Sequence, residues 1–366
     1  PDGILHVLHL PGHAVGDALL DAGIGKLFFT GSTEVDRELA RKAGERLVPV
    51  SLELGGNDPM IVLEDADLDR AASCAVWAGL SNAGQSCGAV ERIYVHDAVY
   101  DRFLAALEPI VASLRAGHDD DFAVDLGAIT TEAQLETVRD QLAASLSEGG
   151  RERVRSLSQT EGAQTEATQT EATQTEATQT EATQTAGGGA GGGRFHPAVV
   201  VETSHDSGAI VREETFGPLL AVRRVGSVDE AVRLANDSRY GLTASIWTRD
   251  RRLARRISRE LEAGAVTTND HLLSHGMPET PWGGYKESGI GRSHSRLGFE
   301  EMTQPKVVVE ERFGWIRRNM WWHPYSRQVY EGVSGALLAR YGSGPLRRLR
   351  GLARALGLFI RRARGK

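Results

Sequence analysis

Residues 26–56 read KLFFTGSTEVDRELARKAGERLVPVSLELGG. The run Leu27–Thr30 is short, apolar and closed by Gly31, which predicts a buried strand entering a turn. "STEVDRELARKAGERL" follows, with Ser32 and Thr33 at a helix N-cap position. Glu34 and Asp36 fall in its first turn and Arg41, Lys42 and Arg46 toward its end, the charge order that suits a helix dipole. "VPVSLEL" then returns to strand and stops at Gly55-Gly56. Upstream, "ILHVLHL" at 4–10 predicts another strand and residues 13–22 a helix. This β-α-β-α-β alternation is the pattern of half of a doubly wound parallel sheet.

The alternation continues. Residues 67–82 predict an apolar helix, "ERIYVH" a strand, and 97–116 and 131–148 two more helices. From Thr165 to Gln184 the unit TEATQ then appears four times, followed by "TAGGGAGGG". A period of five matches neither helix nor strand, and no aliphatic residue larger than alanine is there to bury. We read 159–193 as a low-complexity, disordered insertion. Order resumes at "RFHPAVVVE" and runs through "GPLLAVRRV", a helix at 227–237, "TASIWTR", a helix at 250–262 and "GAVTTN".

Of the 366 residues 40% are apolar and 25% charged, enough for a sizeable core in a globular protein. The two cysteines, Cys74 and Cys87, make no disulfide framework and no zinc-ligand spacing, which points to a reducing, cytoplasmic setting. No apolar run approaches the ~18–20 residues that span a bilayer. The net charge of −7 is unevenly spread: from Gly332 onward there are eight Arg and one Lys and no acid. "LRRLRGLARALGLFIRRARGK" alternates leucine and arginine at helical spacing, after the tryptophan-rich "FGWIRRNMWWHPYS". Such a tail suits an anionic membrane surface, and equally a solvated arm or an inter-subunit clasp. Nucleic acid is not expected, because the tail lacks a recognisable binding motif and the body is acidic.

The chemistry-bearing stretch is "SNAGQSCGAVE" at 81–91. Cysteines are usually small, buried and inert. Cys87, however, sits in a loop among Gly84, Ser86, Gly88 and Ala89, which leave space for a ligand to approach a nucleophilic sulfur. Cys74, inside the helical "AASCAVWAG", reads as core. Glu53 ends a predicted strand before two glycines, where a carboxylate can serve as general base or can simply be solvated. "FFTGSTEVD" combines strand, glycine turn and helix start, whose N–H groups can receive a pyrophosphate.

In that order, "FTGST", "LELGG" and "GQSC" resemble the aldehyde dehydrogenase superfamily, including its spacing of thirty-four positions between base and nucleophile. "EETFGP" at 213–218 and "PWGGYKESGIGR" at 281–292 match two further motifs, so the resemblance runs from Pro1 to about Glu310. It implies an α/β chain: an incomplete Rossmann-like cofactor domain with a second α/β catalytic domain built on a mostly parallel sheet. The implied boundaries are 1–56 for the end of the NAD(P)-binding domain and 57–286 for the catalytic domain. A return segment and oligomerisation strand at 287–312 and a basic aromatic tail at 313–366 complete the chain.

The resemblance further implies oxidation of an aldehyde by NAD or NADP. Cys87 would be the nucleophile and Glu53 the base that activates water on a thioester. Gly31 and Ser32 would lie at the pyrophosphate, Leu54 would hold the nicotinamide carboxamide by its backbone, and Glu214 would bind the nicotinamide ribose beside Phe216. Relatives that release a coenzyme A thioester generally lack the base, so Glu53 favours a free acid. "NDHLLSHGMPETPWGG" at 269–284, with His275 and Pro278, resembles members that take fatty or aromatic aldehydes. The family's oxyanion asparagine and adenosine-ribose lysine would lie upstream of Pro1, so a fragment of a homo-oligomeric enzyme is expected. Asp36 stands where the family's GSTxxG has glycine; it either opposes a phosphate or points to solvent. A competing reading is a non-catalytic chain that serves assembly or membrane-surface association.

Overall fold

In the computed structural model, residues 3–118, 122–158, 193–312, 314–316, 318–319 and 322–364 are described. The TEATQ repeat lies outside them. The chain enters through α1 (Gly12–Asp21), β1 (Leu27–Thr30), α2 (Thr33–Glu45) and β2 (Val50–Glu53). β1 and β2 run parallel, with Leu27 opposite Val50 and Thr30 opposite Glu53. Residues 4–10 do not form the expected strand: they are irregular and exposed. A strand exists only through ladder hydrogen bonds to a neighbour, and among the described residues β1 pairs with β2 alone.

Next come β3 (Asp58–Val62), α3 (Leu68–Leu80), β4 (Val90–His96), α4 (Tyr100–Ser113), α5 (Glu132–Ser147) and β5 (Arg151–Arg155). Then follow β6 (Val199–Glu202), β7 (Leu219–Val225), α6 (Val228–Asn236), β8 (Thr243–Trp247), α7 (Arg251–Glu260) and β9 (Ala265–Thr268). Seven of these strands make one sheet in the order β9-β8-β3-β4-β7-β6-β5. Every pair in it is parallel except the edge pair β5–β6.

Alternation along the strands fills both faces of this sheet. Met60, Val62, Ile93 and Val95 pack with Phe103 and Leu107 of α4 on one side. Ile61, Leu63 and Tyr94 pack with Leu234 and Ile257, from α6 and α7, on the other. Burial on both faces explains why these strands read as near-continuous apolar runs.

A short strand, β10 (Gly289–Ile290), folds back antiparallel onto β2 and places Gly289 opposite Glu53. Residues 1–304 form one compact unit and 305–366 a second. The second unit contains α8 (Arg327–Tyr341) and α9 (Pro345–Ala363), so the basic tail is helical, preceded by a helix that the leucine–arginine pattern did not reveal.

Candidate active site

Cys87 lies between α3 and β4, in a loop that winds left-handed at Asn82, Ala83 and Gly84. A side chain at Gly84 would run into the backbone of Gly217 and Pro218, so only glycine fits. Gln85 fixes the loop. Its Oε1 accepts from the Thr130 backbone N–H at 2.8 Å and hydroxyl at 2.9 Å. Its Nε2 donates to the carbonyls of Asn82 and Ala128. Gln85 went unnoticed in the sequence because a lone glutamine carries no periodic signal; its one cue is a position inside the nucleophile motif.

Glu53 ends β2, one residue before the buried Leu54 and the Gly55–Gly56 turn. Both glycines are explained by what they touch. A Cβ at Gly55 would fall on the Glu214 carboxylate, and one at Gly56 on the Cys87 carbonyl oxygen. The Gly56 N–H donates to Glu214 Oε1 at 3.1 Å. The strand end bearing Glu53, the Glu214 loop and the Cys87 loop therefore meet around one turn. The Leu54 N–H donates to the Ser288 carbonyl at 3.2 Å, so only its carbonyl can serve a ligand.

Cys87 is half-buried, open enough to be reached. Its thiol is pushed up to about 11, first by burial and then by the carboxylates of Asp58, Glu214 and Glu53. Burial raises the Glu53 pKa as well, opposed by a hydrogen bond from Ser293 and by the charges of Arg292 and His294. Glu214 rises to about 8, through burial and then the neighbouring Glu91. It is thus no solvated loop carboxylate.

Two buried acids escaped the sequence reading. Glu91 accepts from the backbone N–H groups of Thr215 and Phe216 and from Asn57 Nδ2, all within 3.0 Å. It fastens the E-T-F-G-P loop to β4, where Phe216 turns left-handed at φ 46°. Its signal was the charged pair Glu91-Arg92 in an otherwise apolar strand. Asp58 accepts from the Thr243 N–H at 3.0 Å and hydroxyl at 2.8 Å, and burial holds its carboxyl well above the ordinary range.

Gly31 and Ser32 are exposed at the start of α2, where Ser32 makes no side-chain capping bond. Ser32, Thr33 and Arg37 share a cleft of about 440 Å³ with Glu214, Arg239 and Tyr240. An open helix N-terminus facing a carboxylate across that cleft fits a ligand with phosphate at one end and ribose hydroxyls at the other. Asp36 does not point to solvent. It is 3% exposed, one of its oxygens is unpartnered, and burial lifts its carboxyl to about 6.

Next to Cys87 in the loop, a Cβ at Gly88 would meet Leu272, Trp282 and Thr243. The exposed His275 ring stands edge-on to Trp282 at 4.7 Å and lies 6.0 Å from His294. The Pro278 carbonyl accepts from the Ser295 N–H at 2.8 Å, a backbone role.

A model described as the aldehyde dehydrogenase family matches residues 1–166 and 159–308. The chain belongs to the aldehyde dehydrogenase family. It is 34% identical over 342 residues to a 4,4'-diapolycopene aldehyde oxidase of Methylomonas sp, a match covering 93% of this chain and 58% of the relative. Against a putative NADP(+) succinate-semialdehyde dehydrogenase of Mycolicibacterium smegmatis it is 36% identical, over 85% of this chain and 55% of the relative. The NAD+ complex of a Bacillus cereus aldehyde dehydrogenase superposes with TM-score 0.64 at 30% identity, over 77% of this chain and 51% of the other. The chain has the aldehyde dehydrogenase fold and spans somewhat over half the length of these curated relatives.

Proposed function

We propose that the chain carries the reacting centre of an enzyme that oxidises an aldehyde to a carboxylic acid with NAD+ or NADP+. The observation that carries this reading is the single turn at which Glu53, Glu214 and the Cys87 loop meet. The Cys87 sulfur, as thiolate, adds to the aldehyde carbonyl, and the resulting thiohemiacetal oxygen takes a hydrogen bond from the Cys87 backbone N–H. NAD(P)+, when bound, supplies the acceptor for the hydride that this carbon loses. Gly31, Ser32, the Leu54 carbonyl, Glu214 and Phe216 would hold it. Glu53 then removes a proton from water, whose oxygen adds to the thioester carbonyl and releases the acid and the Cys87 sulfur. A carboxylate whose proton affinity is raised by burial is a better base than a free one, which supports Glu53 in that role.

For the substrate we favour a medium or long aliphatic aldehyde. Leu272 and Trp282 offer an apolar wall beside the Cys87 loop. The relative named for diapolycopene aldehyde matches 93% of the chain, necessarily past residue 308 where the family model stops. The succinate-semialdehyde relatives match 84–85% of the chain, and succinate semialdehyde is the second reading. A homo-oligomer is supported by Val307, Val308 and Val309, an exposed, unpaired apolar stretch able to add to another subunit's sheet edge. A catalytic thiol must stay reduced, which supports a cytoplasmic setting; the basic tail supports one peripheral to a membrane.

The test is steady-state oxidation by the full-length protein of decanal and of succinate semialdehyde. Cys87→Ala is expected to abolish turnover, and Glu53→Gln to give one burst and then stall at the thioester. Decanal is expected to show the higher kcat/KM. Equal rates for wild type and both variants would reject the enzyme in favour of the non-catalytic reading.

A further inference from the structure

Within residues 305–366, α8 and α9 pack antiparallel through small residues. A Cβ at Gly332 would strike Leu358, one at Gly335 would meet Arg354 and Gly351, and one at Gly351 would meet Ala339. Gly351, Leu358 and Arg362 are the buried residues of α9, and the Arg362 guanidinium donates to the carbonyls of Trp322 and Pro324 at 2.8 and 3.0 Å. That seam fixes which way the rest of α9 faces.

At 100° per residue, Leu346, Leu349, Leu352, Leu356 and Ile360 fall on one stripe opposite the seam. All five are exposed, from 48 to 73%. Arg350, Arg361 and Arg364 border the stripe on one side and Arg348 on the other, all exposed. The last acid along the chain before α9, Glu331, is paired with Arg327 at 3.0 Å. No helix is long and apolar enough to cross a membrane among the described residues. The same unit also exposes Trp322, Tyr325, Tyr330 and Tyr341, residue types that favour the bilayer–water boundary.

We infer that this stripe of α9 is the surface by which the protein lies on an anionic membrane, its leucines in the acyl boundary and its arginines among lipid phosphates. A second copy docked stripe to stripe would set two rows of arginine side by side with no acid to separate them. An anionic bilayer satisfies the aliphatic row and the cationic borders together. The inference rests on the membrane-peripheral setting and adds the face that makes it.

Co-sedimentation of the full chain with vesicles tests it, comparing phosphatidylglycerol/phosphatidylcholine mixtures with phosphatidylcholine alone. Wild type is expected to pellet with the anionic vesicles and to be released by salt. Leu349→Gln/Leu356→Gln, which leaves the seam untouched and adds no charge, is expected to weaken binding about tenfold or more, and Arg350→Gln/Arg364→Gln by about thirtyfold. Unchanged helix content by circular dichroism would show that the variants fold, and the arginine pair preserves the test if the leucine pair does not. Wild type left in the supernatant would reject the membrane setting itself. Wild-type binding matched by both variants would reject only this face. Self-association without lipid that the leucine variant abolishes would assign the stripe to a second copy and overturn the inference.

Discussion

At Cys87 the sequence and the structure point to different properties of one atom. Small neighbours suggested an open sulfur, whereas the folded chain half-buries it and sets Asp58, Glu214 and Glu53 around it. Burial, and after it these carboxylates, disfavour a thiolate, so the sign of the shift is upward, and in cofactor-free protein the sulfur should be a sluggish nucleophile at neutral pH. In a Cys74→Ala background, alkylation by iodoacetamide at pH 8 is expected to run about 100-fold slower than for a free thiol, and to climb toward pH 11. Glu214 is itself raised to about 8. Glu214→Gln should therefore change little below pH 7, where the carboxyl is mostly neutral, and should speed alkylation above pH 8, where a charge has been removed. Free-thiol rates at pH 8 would mean that the thiolate is preformed and this electrostatic account is wrong.

Among the elements, legibility followed periodicity. Strands such as β4, β7 and β8 and helices with capping residues could be read because each carries its own signal; Asp67, Thr131, Ser227 and Asp250 all cap helices as their residue types suggest. β3, buried along its whole length, was not legible, because Asp58 and Pro59 interrupt its short apolar run. The stretch 4–10 had strand composition without a partner, and composition alone cannot form a ladder. α8 was hidden because its polar and apolar residues are mixed around the helix, and its packing depends on glycines. The site divided in the same way. Cys87, Glu53 and Glu214 stand in recognisable motifs, whereas Asp58, Glu91 and Gln85 act through long-range hydrogen bonds that only the folded chain assembles. Gln85 shows how much an element can hang on one such residue. Gln85→Ala would remove the two hydrogen bonds that its buried amide accepts from Thr130; Thr130 is itself exposed and open to water, so the cost is about 1 kcal/mol. Because the same side chain shapes the Cys87 loop, kcat should fall by more than stability explains. Thermal melts alongside turnover would check this, and a stable variant with wild-type kcat would remove Gln85 from the site's support.

On the scale of the whole chain, the TEATQ insertion is carried by a fold that clamps both of its ends. Ser156 donates its N–H to the Ala198 carbonyl at 2.9 Å, and its hydroxyl accepts from the Ala198 N–H at 2.9 Å. Below them, Ile129 and Arg194 are joined by a 2.7 Å backbone bond and by Arg194 Nε on the Ile129 carbonyl at 2.8 Å. These bonds close the loop whatever its length, and closure entropy grows only with the logarithm of that length. Removing residues 165–184 takes away four repeat units and slightly more than halves the segment 159–193. The shortened protein should gain about 0.7 kcal/mol, one halving's worth of closure entropy, and should keep its kcat/KM for decanal. Chemical denaturation of the two lengths measures the first and steady-state kinetics the second. A loss of more than about 1 kcal/mol, beyond what closure entropy allows, would show that the repeat makes contacts the fold depends on. A drop in turnover at unchanged stability would instead give the repeat a part in the reaction or in its assembly.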